Sequence, residues 1–482
     1  MPKYILSSFS GGLADVESYG IKGSFKYGKN LNIHKKQDTL SCNQALKEET
    51  APAQGFNALI DYFVPSSDGN IYGFDRGGRI LKRTSAGVWS LVYTDGDGRI
   101  YGAWEWGIAN GKKYMFWATA TKLHSKEIPG NADWTADDDA SIVVGAVTNT
   151  YPKSDLTSPV TGFNHMMLGV GGGVGGLAIC NDETLALVGY DGSYTNEILR
   201  FTPGNAAKTL LQRDNNLIMG TVAKNQLVKT SIFLWDGHDT EEAFGWDDVK
   251  PLPLQNITGM VDTEVPLLVD GKGQVFYSDF TSGQPLFTFP DNGYVSPGGV
   301  TNEEYLALFG VWGNSTKTGI YSYGRKWKNA SLVPNLEYAI TATEIGAIIK
   351  TGDNLLVSYN NNGVYGVKSI DSSNKAEAVY ESIDLPKPVD YPFGKFPIWE
   401  SVVLHTEPLP AGTSIACKYK MNKQGAFLSA NTQDLSTTFT TTGAQEAVFY
   451  TKAKGEIAEL QLTLTPSGNE TPEIRQIEWY FN

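Results

Sequence analysis

Cysteine is scarce in this chain: Cys42, Cys180 and Cys417 are its only three in 482 residues, and no CxxC or zinc-like spacing joins them. A disulfide framework and a zinc ribbon are thereby excluded, and the three thiols read as small buried hydrophobes. Basic residues are the minority, with 39 Lys and Arg against 52 Asp and Glu and a formal net charge of −13. Sequence-independent nucleic-acid affinity comes from neutralising phosphates, so no direct sequence-specific nucleic-acid binding is expected, and partners are expected to be proteins or glycans. No apolar run approaches the roughly 18 residues of a membrane helix, so no membrane insertion is expected. The start, MPKYILSSFSGGLADVESYG, lacks the charged, apolar and small-residue regions of a signal peptide, which predicts synthesis and folding in a cytoplasm. Helical periodicity is nearly absent. Only NQALKEET at Asn43 and the capping-box candidate from Thr301 to Glu304, before YLALF, suggest a helical turn or two.

What is present is turn and strand chemistry. The chain has 52 Gly and 22 Pro with 41% hydrophobic and 12% aromatic residues, the composition of a folded, turn-rich protein. A Gly or Asn turn followed by a β-branched residue, an aromatic and a small or polar residue recurs in five places, beginning at Ile71, Ile100, Val275, Ile320 and Val364. Such residues suit a half-buried strand entered from a tight turn. An apolar strand lies just upstream of the later copies, as in VPLLVD, YLALFGVW and NLLVSYN. With two weaker matches around Ile198 and Phe233 and YMFWAT near residue 115, the units fall at a period near 42 residues, apart from one gap of 83. That period is the signature of a four-stranded propeller blade. Radial packing covers both apolar faces of each small sheet, which alone is marginal.

The expected fold is therefore all-β: a degenerate β-propeller of about seven blades over residues 51–375, followed by a β-sandwich over 376–482. Residues 1–50 read as an N-terminal arm. An arm of that kind would leave a soluble, folded core when residues 1–45 are deleted. The boundary near Ser382 rests on the prolines of IDLPKPVDYPFGKFP. After it, five segments alternate with period two: SVVLHTEPL, TSIACKYKM, EAVFYTKA, AELQLTLT and IRQIEWYF.

Few residues point to chemistry. A formal GxGxxG at Gly171, Gly173 and Gly176 leads into another strand and turn rather than a helix, and so reads as a hairpin. Asp95 with Asp97, and Asp137 with Asp138 and Asp139, could hold calcium but lack the distal Glu of an EF-hand and also suit solvated turns. Asp236, Asp247, Asp248 and Asp262 are available to a propeller glycosidase, as acidic residues would be in any chain with 52 of them. His34, His124, His165, His238 and His405 show no metal spacing. No catalytic residue, cofactor or metal is assigned. Trp104, Trp106 and Trp117 fall within fourteen residues, and stacked indoles are one way to build a glycan-contact face, although blade cores bury Trp equally well.

The ends of the chain carry a resemblance. Phe9 to Leu46, FSGGLADVESYGIKGSFKYGKNLNIHKKQDTLSCNQAL, resembles segments that precede a propeller in tailed-bacteriophage structural proteins. KFPIWESVVLHTEPLPAGTSIACKYKMN and TPEIRQIEWYFN are similar to the C-terminal β-sandwiches of the same proteins. The resemblance implies a non-enzymatic virion component, such as a tail nozzle, hub or adaptor-like protein. Such a protein would form a homo-oligomeric ring or other symmetric assembly and contact other virion proteins. It transfers no catalytic residue. The alternatives are a glycan- or receptor-binding propeller module and a propeller glycosidase.

Overall fold

The computed structural model describes residues 2–14, 23–34, 38–128, 134, 142–151, 153–158, 164–224, 230–238, 240–244, 256–264, 266–278, 283–313, 317–325, 332–387, 391–392 and 395–482. Among them there is no α-helix and a single 3-10 turn at Pro290–Asn292, so the protein is all-β. No helix of these residues is long and apolar enough to cross a membrane. Both segments expected to turn helically are extended. Gln44–Glu48 is a strand paired with Val364–Lys375, and Thr301 lies within the strand Tyr294–Glu303, with Glu304 at φ 50 turning the hairpin. Local helix preference is worth tenths of a kcal/mol per residue, and the ladder to a distant strand overrides it.

Seven antiparallel meanders follow one another along the described chain, six of four strands and one, the second, of three. Their innermost strands are Ile60–Pro65, Gly102–Gly107, Met167–Val170, Asn205–Arg213, Ile257–Asp262, Tyr294–Glu303 and Glu344–Thr351. Each touches the next in this order and the seventh touches the first, which closes a ring and makes the arrangement a β-propeller. The seventh sheet takes its fourth, outermost strand from the other end of the sequence, Gln44–Glu48.

Burial follows from this geometry. A middle strand has a neighbouring sheet on both faces, so Ile71–Asp75, Gly176–Asn181, Pro266–Asp270 and Gly319–Gly324 are buried at every residue and show no alternation. An outer strand such as Tyr194–Arg200 is largely exposed. The recurring turn-strand motif does not keep one phase in the sheets. Ile71 opens a second strand, Val275, Ile320 and Val364 lie in third strands, and Ile100 precedes an innermost strand. The gap of 83 residues holds the hairpin of Ile142–Val144 with Val147–Asn149 and most of the third sheet, whose centre lies upstream of Ile198.

The C-terminal residues form two further sheets. One runs Lys3–Leu6, Ile474–Phe481, Ile398–Thr406, Glu446–Lys454; the other runs Phe25–Lys29, Ala378–Ser382, Ile457–Thr465, Ser414–Met421, with three short strands at its margin. All five period-two segments are strands, and their inward residues share one core. Trp399 and Trp479, with ring centroids 4.9 Å apart, join Phe449, Tyr380, Cys417 and Leu462 there. That core continues into the fifth and sixth propeller sheets through Phe287, Phe289, Phe309 and Tyr321. It also includes Phe9, Phe25, Leu31 and Leu40. Residues 1–50 therefore do not form a detached arm: their described strands are shared among both terminal sheets and the last propeller sheet. All three cysteines are free and buried, and burial pushes the Cys42 thiol up to about 11.

Phe25 is fully buried against Tyr380, ring centroids 5.7 Å apart. An aromatic ring of this kind buries roughly 200 Å², about 5 kcal/mol of apolar transfer. Phe25→Ala should therefore lower stability by about 3–5 kcal/mol in a urea titration. A loss below about 1 kcal/mol would show that the N-terminal strand stands outside the cooperative core.

Candidate functional site

Five of the seven innermost strands break register with their neighbours, and the breaks place polar or small residues at the propeller axis. Asp61 is the extra residue between the pairs Ile60↔Asp75 and Tyr62↔Phe74. Lys208 lies between Ala207↔Thr221 and Thr209↔Gly220, and Thr258 between Ile257↔Asp270 and Gly259↔Val269. The sixth sheet inserts 296–299 and the seventh 346–347. A bulge twists the strand locally and re-aims a side chain, which is why such irregularities gather where a fold presents function.

Contacts between sheets that are not ring neighbours show that these residues meet across the axis. The Lys208 ammonium, on the fourth sheet, donates to the Tyr294 hydroxyl of the sixth at 3.2 Å. A Cβ on Gly298 of the sixth sheet would lie 1.9 Å from the carbonyl oxygen of Asp61 on the first. Between the neighbouring seventh and first sheets, a Cβ on Gly346 would likewise lie 2.2 Å from the carbonyl oxygen of Ile60. Glycine is required at both places because backbone meets backbone there.

Around this contact the charges are paired. Asp61 accepts from Arg76 Nε at 2.9 Å and from Arg99 Nη2 at 2.7 Å, while Arg76 Nη2 reaches Glu344 at 2.7 Å. The first and seventh sheets and the connection between the first and second are joined by one ionic network. Lys208 sits apart from it, 4% exposed, and burial pushes its amine down to about 8. Burial also pushes the Tyr294 phenol up. The axis thus holds anions already matched by guanidinium groups and one desolvated amine.

Residues singled out in the sequence fall elsewhere. Trp104 and Trp106 share one face of the innermost strand of the second sheet and pack, partly buried, toward the third. Trp117 belongs to the opposite face. It is 3% exposed, stacks on His124 and Trp134, and donates Nε1–H to Asp95 at 2.7 Å. The three indoles do not form one platform. Asp95, Asp97 and His124 bring ligand atoms within 4.8 Å of one another, yet Asp97 accepts the Lys122 ammonium at 2.8 Å, so a cation already stands beside it. Asp236 accepts a backbone N–H from His238 in a turn, and Asp262 pairs with Arg213 at 3.2 Å. Asp137, Asp138, Asp139, Asp247 and Asp248 lie outside the described residues. Gly171, Gly173 and Gly176 belong to a hairpin between Met167–Val170 and Gly176–Asn181.

No protein-family model matches the chain, and no curated protein matches it. Solved structures do. A streptogramin B lyase is similar at 13% identity over 69% of this chain and 97% of its own, with a TM-score of 0.46. Virginiamycin B lyase from Staphylococcus aureus is similar at 13% identity over 68% and 99%, TM-score 0.46. The Cps50 (Swd1) β-propeller domain of Myceliophteria thermophila is similar at 11% over 66% and 98%, TM-score 0.44.

The buried lysine makes a sharp prediction. Its folded value of about 8 lies below the unfolded value near 10.4, so the unfolded chain holds the proton more tightly and stability rises as pH climbs between the two. The rise should be on the order of 3 kcal/mol. Lys208→Met should be more stable than wild type at pH 7, and the difference should shrink toward pH 10. Urea titrations of the two proteins that stay parallel across this range would refute the assignment.

Proposed function

We propose that this protein is a non-enzymatic structural component of a tailed-phage virion, a tail nozzle, hub or adaptor-like protein that assembles symmetrically through protein–protein contacts. In this reading the seven meanders are seven propeller blades and the two terminal sheets are a β-sandwich. The observation that carries it is the shared core. One N-terminal segment supplies strands to both terminal sheets and to the last propeller sheet, so propeller and sandwich form one rigid piece. A part that bears load in an assembly benefits from such continuity, because relative motion would require breaking backbone ladders and a common core.

The axial chemistry supports the same reading. The Asp61 and Glu344 carboxylates engage arginines, and glycine backbones close against carbonyl groups beside them. Hydrolysis of a glycosidic bond would call for two carboxyl groups facing a substrate. The net charge of −13 adds a corollary. Any DNA passing through the lumen of the oligomeric assembly, as distinct from the filled propeller axis, would be weakly repelled.

Quantitative mass spectrometry of purified particles from the source, with native mass measurement of the isolated protein, tests the proposal. The expected result is a fixed copy number per particle that is a small multiple of a symmetric ring, even where the isolated chain is monomeric. Absence from particles, with a stable monomer in solution, would overturn it.

A further inference from the structure

The outermost strands of the sixth and seventh sheets, Val333–Ala339 and Gln44–Glu48, border a groove of ≈ 440 Å³. Its floor is apolar, with Leu46 and Tyr338 packed on the cluster between the two sheets and Tyr359 buried beside them. Gln44–Glu48 is an edge strand, paired on one side only in its sheet. Its free side can be identified. The Glu49 N–H bonds the Val367 carbonyl, and backbone groups in an antiparallel ladder alternate between the partner and the open side. Ala45, Lys47 and Glu49 therefore face Val364–Lys375, and the N–H and C=O groups of Leu46 and Glu48 face outward. An open row of this kind is a template for another strand.

We propose that this groove binds an extended segment of a partner polypeptide, which adds to Gln44–Glu48 as a further strand of the seventh sheet. Main-chain bonds to Leu46 and Glu48 would supply affinity, and alternate side chains would select the sequence. An inward residue of that segment meets the apolar floor. At the mouth, Val364 is 65% exposed and offers a second apolar contact. The Glu48 carboxylate accepts the Tyr359 hydroxyl at 3.0 Å and the Lys368 ammonium. A carboxylate has about four acceptor sites, so capacity remains. With the chain at −13, that capacity favours a basic residue in the bound segment. The identity of the supplier, another virion protein, rests on the assembly reading; the groove does not.

The test uses a short random-peptide display library selected on the full-length protein and counter-selected on Glu48→Pro. Proline removes the outward N–H at this position, and its fixed φ suits an edge strand; it also removes the carboxylate that meets Tyr359 and Lys368, a loss that Glu48→Gln controls for. A thermal melt verifies that the variant folds. The expected result is enrichment of alternating apolar and polar peptides with a basic residue, bound about tenfold or more weakly by Glu48→Pro. Bound peptide should also slow amide exchange at Leu46 and Glu48. Glu48→Gln should keep the binding and lose the preference for a basic residue. No enrichment, binding indifferent to Glu48→Pro, or a glycan from an array that occupies the groove instead would overturn the proposal. Loss of peptide binding in a protein still recovered from particles would sink the groove alone. Peptide binding by a protein absent from particles would sink the assembly reading alone.

Discussion

The ladder between Gln44–Glu48 and Val364–Lys375 is the constraint on which the rest of the molecule depends. A ring of small sheets is stable only when closed, since an open ring leaves one apolar sheet face and its edges in water. Here closure is made by residues more than three hundred positions apart, so it fixes the N-terminal segment in space before the terminal sheets are considered. The strands at Lys3–Leu6 and Phe25–Lys29 must then lie within reach of it, and the sheets they join are held against the fifth and sixth propeller sheets. A long loop closed in this way costs little more entropy than a medium one, since the cost grows only with the logarithm of length. A chain rich in non-local contacts of this kind is expected to fold slowly.

Closure also explains the axis. The seven inner strands converge toward one line, and where backbones approach one another there, side chains compete for space. The structure relieves the crowding in two ways: register breaks in five inner strands, and glycine where backbones touch, as at Gly298 and Gly346. The breaks turn Asp61, Lys208 and Thr258 out of regular alternation, and Asp61 is then neutralised by guanidinium groups from the connections beside it. These pairs join a buried Asp61 carboxylate to guanidinium groups that keep contact with water. Their main effect is to hold Asp61 in its turned-out position, since a desolvated carboxylate left unpaired would be strongly unfavourable.

Much of the fold was legible in the sequence, and the reasons for the exceptions are physical. Alternation marked every long strand of the terminal sheets, because each has one face in the core and one in water. The propeller was legible as a period rather than as a pattern, since middle strands such as Ile71–Asp75 are buried on both faces and lose alternation. NQALKEET is built of helix formers, and nothing local reveals that its partner lies at Val364–Lys375. The axial site was nearly invisible, because a bulge is a property of two strands. One signal was available, a lysine inside the otherwise uncharged run NAAKTLL of Asn205–Leu211, where Lys208 interrupts a strand whose neighbours are buried. The tryptophans misled by proximity: Trp104 and Trp117 are close along the chain but belong to opposite faces of one sheet.

Where the axis is filled, the periphery is the surface left open to a partner. A propeller offers three kinds of surface: the central opening, the loops at either end and the outer edges of the blades with the grooves between them. In this chain backbone and paired charges occupy the first at the level of the bulges. The end loops and the edges remain, and the edges of the sixth and seventh sheets are unequal. That of the sixth sheet is covered by the N-terminal segment, which bonds Pro334, Leu336 and Glu337 through Leu13, Asn30 and Asn43. That of the seventh ends in a strand whose outward groups open onto a groove with an apolar floor. The segment that closes the ring therefore covers one edge and presents the next, and it joins internal stability to whatever the molecule docks against.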